Sequence, residues 1–311
     1  MRSRDAVRRA ASEVFAGDAK QSAARVSVLA NIALTGVKLA AAVATRSVSV
    51  LSEALHSGLD LVAALMALFA VRRSRQAADA DHQFGHGKFE SISGLVEGTL
   101  IVVAVLLIFW SAADRMISGR VHLSRPGLGV GVMALSAVVN IFVSRLLFRV
   151  ARATDSVALE ADAWHLRTDV WTSAGVFSGL AIITLGRQLG FEEAAHLDPL
   201  IAIGVALVIL RAAWHIMRQC WDHLVDRSLP ADELEAVHAL LRQHYPQFAN
   251  YHRLRTRKAG ATRHVDLHLV VSGKQSVADA HALCDHLEAD LTALLPDTEV
   301  MIHVEPEANN E

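Results

Sequence analysis

The chain is poor in cysteine and lacks the motifs of two enzyme classes. Its only cysteines, Cys220 and Cys284, fit neither a disulfide framework nor a CxxC metal or redox site. No GxxxxGKS or GxxxxGKT sequence is present, which argues against a pump that hydrolyses nucleotides, and the HExxH motif of zinc hydrolases is also missing. The formal net charge is −2, so nothing points to a nucleic-acid partner. We therefore do not expect an enzyme.

Long apolar stretches are the dominant pattern, and hydrophobic residues make up 52% of the chain. Six stretches are long enough to cross a bilayer as helices, which takes about 20 residues. They cover roughly residues 24–45, 49–71, 93–113, 127–150, 157–184 and 198–217. The pattern predicts a membrane protein with an all-α bundle of six transmembrane helices over residues 1–222.

Basic residues cluster before the first stretch, after the second and at the end of the fourth, which six spans place on one side of the bilayer. The clusters are Arg2, Arg4, Arg8, Arg9 and Lys20, then Arg72, Arg73, Arg75 and Lys88, then Arg145, Arg149 and Arg152. The positive-inside rule predicts that this side and both termini are cytoplasmic, although Arg115, Arg120 and Arg125 oppose it. The charged start has no adjacent apolar region with a cleavage site, so we expect a cytoplasmic leader and not a signal peptide.

Ionisable residues within the second and fifth stretches are the strongest functional signal. His56 and Asp60 are four residues apart, as are His165 and Asp169, so each pair lies on one helical face. Two imidazoles and two carboxylates that face each other would form a tetrahedral site suited to zinc. Hydrogen-bonded packing is the alternative, disfavoured because ionisable groups inside a membrane are costly. The pattern predicts a membrane transporter for a divalent transition metal.

The other stretches contain scattered polar residues, for which helix–helix hydrogen bonding is the favoured interpretation. These residues are Asn31, Lys38, Glu97, Ser136 and Asn140. In the loop after the second stretch, Asp79, His82 and His86 have a spacing that lets them converge on a metal ion. A solvated surface turn is the alternative for this loop.

The character of the chain changes after residue 222. Helical periodicity predicts helices over 231–245 and 277–295, and alternation predicts strands over 250–258, 263–271 and 299–304. The order α-β-β-α-β predicts a small cytoplasmic α+β domain over residues 223–311. His268 and His303 fall off the apolar faces of their strands. His281 shares a helical face with apolar residues, so burial in the core competes with metal binding, and His252 is similarly ambiguous.

Several motifs together resemble the cation diffusion facilitator family, in particular its bacterial zinc and iron efflux members. The matching residues are His56-xxx-Asp60, Asp79-xx-His82-x-Phe84-Gly85-His86-Gly87-Lys88, Ala161-Asp162-xx-His165-xxx-Asp169, Asp226-Arg227-x-Leu229-Pro230, Leu254-Arg255-Thr256-Arg257 and Ile302-His303. The resemblance extends from the first stretch to Glu305. It implies a homodimer in the cell (inner) membrane that exchanges cytoplasmic Zn²⁺ for protons, with copper-chaperone-like cytoplasmic domains.

The resemblance also implies which residues form each site. The transport site would be His56, Asp60, His165 and Asp169, and the loop site would be Asp79, His82 and His86. The cytoplasmic, regulatory zinc site would use His252, His268, His281, His303 and Glu305. Lys88 and Asp226 match a dimer-stabilising ion pair.

Two positions depart from the bacterial members that the chain resembles. Those members have Asp at the position of His56, whereas zinc-selective members have His there. Nitrogen ligands disfavour manganese and magnesium, so zinc gains weight as the cargo and cadmium or iron loses weight. Fe²⁺, Cd²⁺ and Co²⁺ are the alternative cargoes. The second departure is Glu305, where the relative has Asp. Its longer side chain leaves the geometry of the cytoplasmic site open.

Competition between protons and zinc for the same lone pairs predicts antiport by alternating access. A metal channel is one rival, although four strong ligands would hold an ion too long for rapid conduction. A membrane zinc hydrolase is another, but such a site keeps one coordination position open. A sensor whose C-terminal domain alone binds zinc is the third.

Overall fold

The computed structural model describes residues 2–45, 48–118, 128–188 and 197–307. The chain divides into two compact units, Met1–Cys220 and Trp221–Glu311. Residues 119–127, which include Arg120 and Arg125 of the loop after the third stretch, lie outside the described residues.

The first unit is helical, and six long helices are found among the described residues. They are α1 (Arg2–Thr45), α2 (Val48–Ser74), α3 (Lys88–Ser118), α4 (Leu128–Thr154), α5 (Val157–Gln188) and α6 (Leu197–Leu224). All but α5 contain a segment apolar and long enough to cross a membrane. The α5 helix has Glu160, Asp162, Arg167 and Asp169 in its first half. The predicted six-helix bundle is confirmed.

The start of the chain is helical. The α1 helix begins at Arg2, so the charged segment predicted to be a cytoplasmic leader continues into the first apolar stretch as a single helix. The reason lies in its composition, because residues 2–23 contain no proline and are rich in Ala and Arg, which favour helices.

Small side chains bring the helices of this unit close together. The contacts among α1, α2, α4 and α5 include Ala23, Ala24, Ala64, Ala151, Ala158 and Ala163, all of them buried. Glycine has the same role where α3 meets α6: a Cβ added at Gly94 would lie 2.6 Å from Sγ of Cys220, and one at Gly98 would overlap the Met217 side chain. Close approach through small residues is typical of membrane helix packing. It sets α2 beside α5, which contain the HxxxD pairs.

The second unit has the predicted α-β-β-α-β order. Its elements are α7 (Ala231–Gln243), β1 (Asn250–Ala259), β2 (Thr262–Val271), α8 (Val277–Leu294) and β3 (Thr298–Pro306). The central strand, β2, pairs antiparallel with β1 and parallel with β3. Gly260, with φ of +62°, makes the turn between β1 and β2, and the Ser276 hydroxyl accepts a hydrogen bond from the Asp279 backbone to begin α8. The predicted α+β domain is confirmed.

The core of the second unit lies between one face of the sheet and the two helices. Val265, Leu267, Leu269 and Val271 alternate along β2 and are buried against Leu241 of α7 and the apolar face of α8. The intervening residues of β2 are therefore free to face away from the core. This arrangement places His268 on the face that carries no helix.

Candidate metal-binding sites

The two HxxxD pairs face each other across the contact between α2 and α5. Nε2 of His165 lies 3.1 Å from Oδ1 of Asp60, and both side chains are buried. Nε2 of His56 lies 3.9 Å from Oδ1 of Asp60 and 3.9 Å from Oδ1 of Asp169. The four predicted transport ligands are thus neighbours in the helical unit, with Asp60 and His165 buried and His56 the most exposed.

Three of these ligands converge more tightly than the fourth. Ligand atoms of His56, Asp60 and Asp169 all lie within 4.8 Å of one another, as they must to share a metal ion. His165 joins this group through its contact with Asp60. Its other ring nitrogen, Nδ1, is buried and has no hydrogen-bond partner among the described residues. The donors are two nitrogens and two carboxylates, which fit a tetrahedral Zn²⁺ and offer little to a hard, octahedral cation.

Polar residues of α1 and α4 also reach this region. The amide of Asn140 donates a hydrogen bond to Oδ2 of Asp169 over 3.5 Å. Nζ of Lys38 donates to Oε1 of Glu53 at 2.8 Å and to the Ser57 hydroxyl at 2.6 Å. Lys38 and Asn140 therefore make the expected helix–helix hydrogen bonds, and Asn140 makes its bond to a predicted metal ligand.

Two contacts in this region are not predicted by the sequence analysis, that of Asn140 with Asp169 and that of Lys38 with Glu53. The available signal was the opposite charge of Lys38 and Glu53 in adjacent apolar stretches, since a buried charge needs a partner. Asn31 differs from the expectation, because its amide bonds to the backbone oxygen of Ser27 in the same helix.

The loop between α2 and α3 gathers its three predicted ligands around one carboxylate. Oδ1 of Asp79 lies 3.3 Å from Nδ1 of His82, and Oδ2 lies 3.2 Å from Nε2 of His86, without the angles of a hydrogen bond in the second case. Gly85 has φ of +75°, which lets the chain turn between the two histidines. Ligand atoms of all three residues lie within 4.8 Å of one another.

Backbone groups hold this carboxylate in place. Asp79 accepts hydrogen bonds from the backbone N–H groups of His82 and Asp81, at 2.7 and 3.0 Å. The first of these bonds is the main reason that the pKa of Asp79 is lowered. His86 is buried, and its Nδ1 lies 3.2 Å from the backbone oxygen of Gln76. Such a contact leaves Nε2 as the nitrogen available to a metal ion.

In the second unit, three histidines occupy neighbouring positions on the three strands. The register pairs His252 of β1 with His268 of β2, and His268 with His303 of β3. The ring centroids are 5.2 Å apart for the first pair and 4.8 Å apart for the second. This row is the direct result of strand pairing, since opposed residues project from the same face.

Glu305 closes the group from the end of β3. Its carboxylate oxygens lie 2.7 Å from Nδ1 of His268, 3.2 Å from Nε2 of His252 and 3.7 Å from Nε2 of His303. The contact with His268 is the largest cause of the lowered pKa of Glu305. The side chain of Glu305 therefore reaches the histidines, although it is longer than the Asp found at this position in the bacterial relative. His252, His268 and Glu305 can offer a metal two nitrogens and one oxygen.

The structure does not bring His281 into this group. His281 lies on α8 with its side chain 77% exposed, and its Nε2 is 3.7 Å from Oδ1 of Asp285. The alternative that His281 is buried in the core is therefore wrong. Lys88 and Asp226 belong to different units, and the ion pair between them stays a prediction.

Two protein-family models together match nearly the whole chain. The model of the cation efflux transmembrane domain matches residues 24–225, and that of the cation efflux protein cytoplasmic domain matches residues 229–307. An uncharacterized transporter of Synechocystis is 37% identical over 281 residues, which cover 90% of this chain and 88% of that protein. The cation-efflux pump FieF of Yersinia enterocolitica is 34% identical over 289 residues, or 93% of each chain.

Solved structures with local similarity are fragments in comparison with this chain. The zinc form of CzrB is 39% identical and covers 28% of this chain and 98% of its own length, with a TM-score of 0.26. The metal-bound C-terminal domain of the CzcD transporter from Thermotoga maritima is 36% identical and covers 26% of this chain and 93% of its own length, with a TM-score of 0.24.

Proposed function

Because the chain belongs to the cation efflux family, we propose that it exports Zn²⁺ in exchange for protons. It is a multi-pass membrane transporter for divalent metal efflux, and its second unit is the dimer-forming cytoplasmic domain of the family. The proposal adds the metal, the coupled ion and the residues. We place the protein in the inner membrane as a homodimer with both termini in the cytoplasm, joined in part by Lys88 and Asp226.

The observation that carries the proposal is the contact of His165 with Asp60 beside His56 and Asp169. Ionisable groups at membrane depth are costly, and they persist where they bind a substrate or ion. Four donors of two kinds supply the coordination number that Zn²⁺ prefers. Fe²⁺, Cd²⁺ and Co²⁺ are the alternative cargoes, because they accept the same donor types.

Proton coupling follows from the chemistry of these donors. An imidazole or carboxylate that holds a proton on its donor atom cannot bind a metal with that atom, so zinc binding releases protons. On the cytoplasmic side the site would exchange protons for zinc, and on the outer side it would exchange zinc for protons. A rocking motion of the ligand-bearing helices would give alternating access.

The decisive experiment is zinc transport into proteoliposomes with an imposed pH gradient. We expect uptake to rise when the gradient drives protons in the opposite direction and to change the internal pH in return. A channel would conduct zinc down its own gradient whatever the pH difference. A sensor would bind zinc in the second unit and transport none. Parallel assays with Fe²⁺, Cd²⁺ and Co²⁺ rank the cargoes.

The loop and sheet groups would hold zinc in a regulatory role. Asp79, His82 and His86 form a compact three-ligand set, as do His252, His268 and Glu305, with His303 beside the latter. We propose that His281 contributes from elsewhere in the dimer, because it lies outside the group within a single chain. A three-ligand set leaves a coordination position for water or for a ligand from a second subunit.

A further inference from the structure

A cavity between α4 and α5 is lined by an unusual concentration of arginine. It has a volume of about 830 Å³ and is bordered by Arg145, Arg149, Arg152, Arg167, Trp164 and Trp171, together with Phe148. None of its arginines lies within the sites described above. The cavity thus combines positive charge with aromatic surface, which is a composition suited to an amphipathic, anionic ligand.

The part of the chain that the structure describes contains no ion pair that balances the positive charge of the cavity. Among the described residues, none of the four arginines has a carboxylate within 4 Å. The guanidinium carbons of Arg152 and Arg167 lie 5.9 and 5.7 Å from the centre of the Phe148 ring, on which they stack. Nε of Arg167 is buried and has no hydrogen-bond partner among the residues that the structure describes. Buried donors are normally satisfied, so Arg167 calls for an external acceptor.

The four arginines lie at different depths, from the end of α4 that would reach the lipid headgroups to about three turns below it. With 27 residues, α4 is about 40 Å long, about 10 Å more than the hydrocarbon core of a bilayer. Arg149 and Arg152 lie in its last two turns, close to the end that would reach the headgroups. Arg145 and Arg167 lie about 14 Å inside the ends of their helices, and their long side chains can extend toward the interface.

We propose that this cavity binds an anionic phospholipid through its phosphate group. Arginine forms bidentate hydrogen bonds to phosphate, and Arg149 and Arg167, one from each helix, can hold the group between α4 and α5. Trp164 and Trp171 provide the apolar surface for the glycerol and the first part of the acyl chains, as interfacial aromatic residues do. Basic pockets between transmembrane helices on the cytoplasmic side are typical sites for anionic headgroups.

The lipid is favoured over a soluble phosphate because of the aromatic lining. A soluble anion would gain nothing from two indole rings, whereas a lipid buries its upper acyl chains there. The cavity and the predicted transport site share the α5 helix. Trp164 and Arg167 border the cavity, whereas His165 and Asp169 of the same helix face α2. A bound lipid would therefore contact the helix that contains half of the transport ligands.

The test is lipid retention by the full-length protein, and it does not depend on transport. The protein is purified from bilayers of equal amounts of phosphatidylglycerol and phosphatidylcholine, and retained lipids are counted by native mass spectrometry. We expect preferential retention of phosphatidylglycerol. Arg149→Gln with Arg167→Gln should lose this preference, by about fivefold in affinity for each arginine removed. Arg211→Gln with Arg218→Gln, a matched pair of exposed arginines on α6, should keep it.

Three outcomes would overturn the proposal. Equal retention of the two lipids would show that no anionic group is recognised. An equal loss in the α6 pair would show a general surface attraction. Displacement of the lipid by inorganic phosphate, or phosphate binding without any lipid preference, would make a soluble anion the ligand. If the double variant fails to fold, the lipid preference of the unmodified protein and of Arg167→Lys, which keeps the charge but loses the bidentate fork, still decides.

Discussion

His165 and Asp60 lie 3.1 Å apart, Nε2 to Oδ1, and join α5 to α2 where both side chains are buried. Each therefore provides a buried partner for one polar atom of the other, whereas Nδ1 of His165 has no partner among the described residues. A zinc ion that binds here must replace this contact with two coordination bonds. The cost of that exchange is small compared with leaving either group unpaired, because a lone buried charge is very unfavourable. A site organised in this way can be emptied without unfolding.

Asp169→Ala should abolish zinc export and leave the protein folded and dimeric. The change removes one of the four proposed ligands and one negative charge, and the Asn140 amide loses its acceptor. We expect transport to fall more than about 100-fold, since even outer partners of metal ligands are worth about 10–100-fold. Zinc/proton exchange in proteoliposomes measures this, with Asp114→Ala, an exposed aspartate of α3, as the control. Normal exchange by Asp169→Ala would refute the assignment.

His56→Asp should broaden the metal range toward cadmium. A carboxylate can bind through one or both oxygens and adapts to a larger ion, whereas an imidazole offers one nitrogen on a rigid ring. His56 is also the most exposed of the four ligands, at 48% of its side chain, so the replacement has room. The measurement is the ratio of cadmium to zinc transport in the same vesicles. An unchanged ratio would mean that this position does not set selectivity.

Lys38 and Glu53 should be strongly coupled in stability. Lys38→Met leaves Glu53 without its cation, and breaking a buried pair costs about 3–5 kcal/mol. The value should be near the lower end, because a third of the Glu53 side chain is exposed. Lys38→Met with Glu53→Gln should recover much of the loss. Thermal unfolding of the four proteins in detergent completes the double-mutant cycle. Additive losses would show that the pair contributes no coupling energy.

Asp79→Asn should remove zinc from the loop site. The amide keeps the shape of the side chain but loses the charge that faces His82 and His86. Asp81→Asn provides a close control, since Asp81 lies in the same loop, is exposed and does not belong to the group. Equilibrium dialysis of the full-length protein should show one zinc ion fewer per chain in Asp79→Asn only. Equal stoichiometry in the two variants would make the loop a solvated turn.

The sequence patterns predicted the helices and strands better than they predicted the contacts between side chains of different helices. Alternation along β2 located the strand and the exposed face of His268, because a half-buried strand has a period of two. The HxxxD spacing predicted that His56 and Asp60 lie side by side, because residues four apart share one helical face. The approach of Asn140 to Asp169 depends on which face α4 turns toward α5, and that is decided by packing of small residues far apart in sequence. The exposure of His281 was similarly ambiguous, since its helical face borders the apolar stripe of α8.

Zinc should bind the second unit and draw two copies of it together. His252, His268 and Glu305 form a three-ligand set on the face of the sheet that carries no helix, so a ligand from another subunit can complete it. Residues 223–311 contain nearly all of a compact unit with its own core and can be titrated alone. Light scattering and small-angle scattering should show association or compaction on zinc binding. His268→Ala should abolish the effect, and His286→Ala, an exposed histidine of α8, should not.

Binding in the second unit should weaken as the pH falls through about 6.5, the ordinary imidazole value. Protonated imidazole has no free lone pair for a metal, so protons compete with zinc at His252 and His268. The Glu305 carboxyl does not set this limit, because its contact with His268 lowers its pKa and favours the ionised form. Zinc titrations at a series of pH values measure the dependence. Affinity that is constant between pH 7.5 and 5.5 would exclude histidine ligands and leave the row of histidines as surface residues.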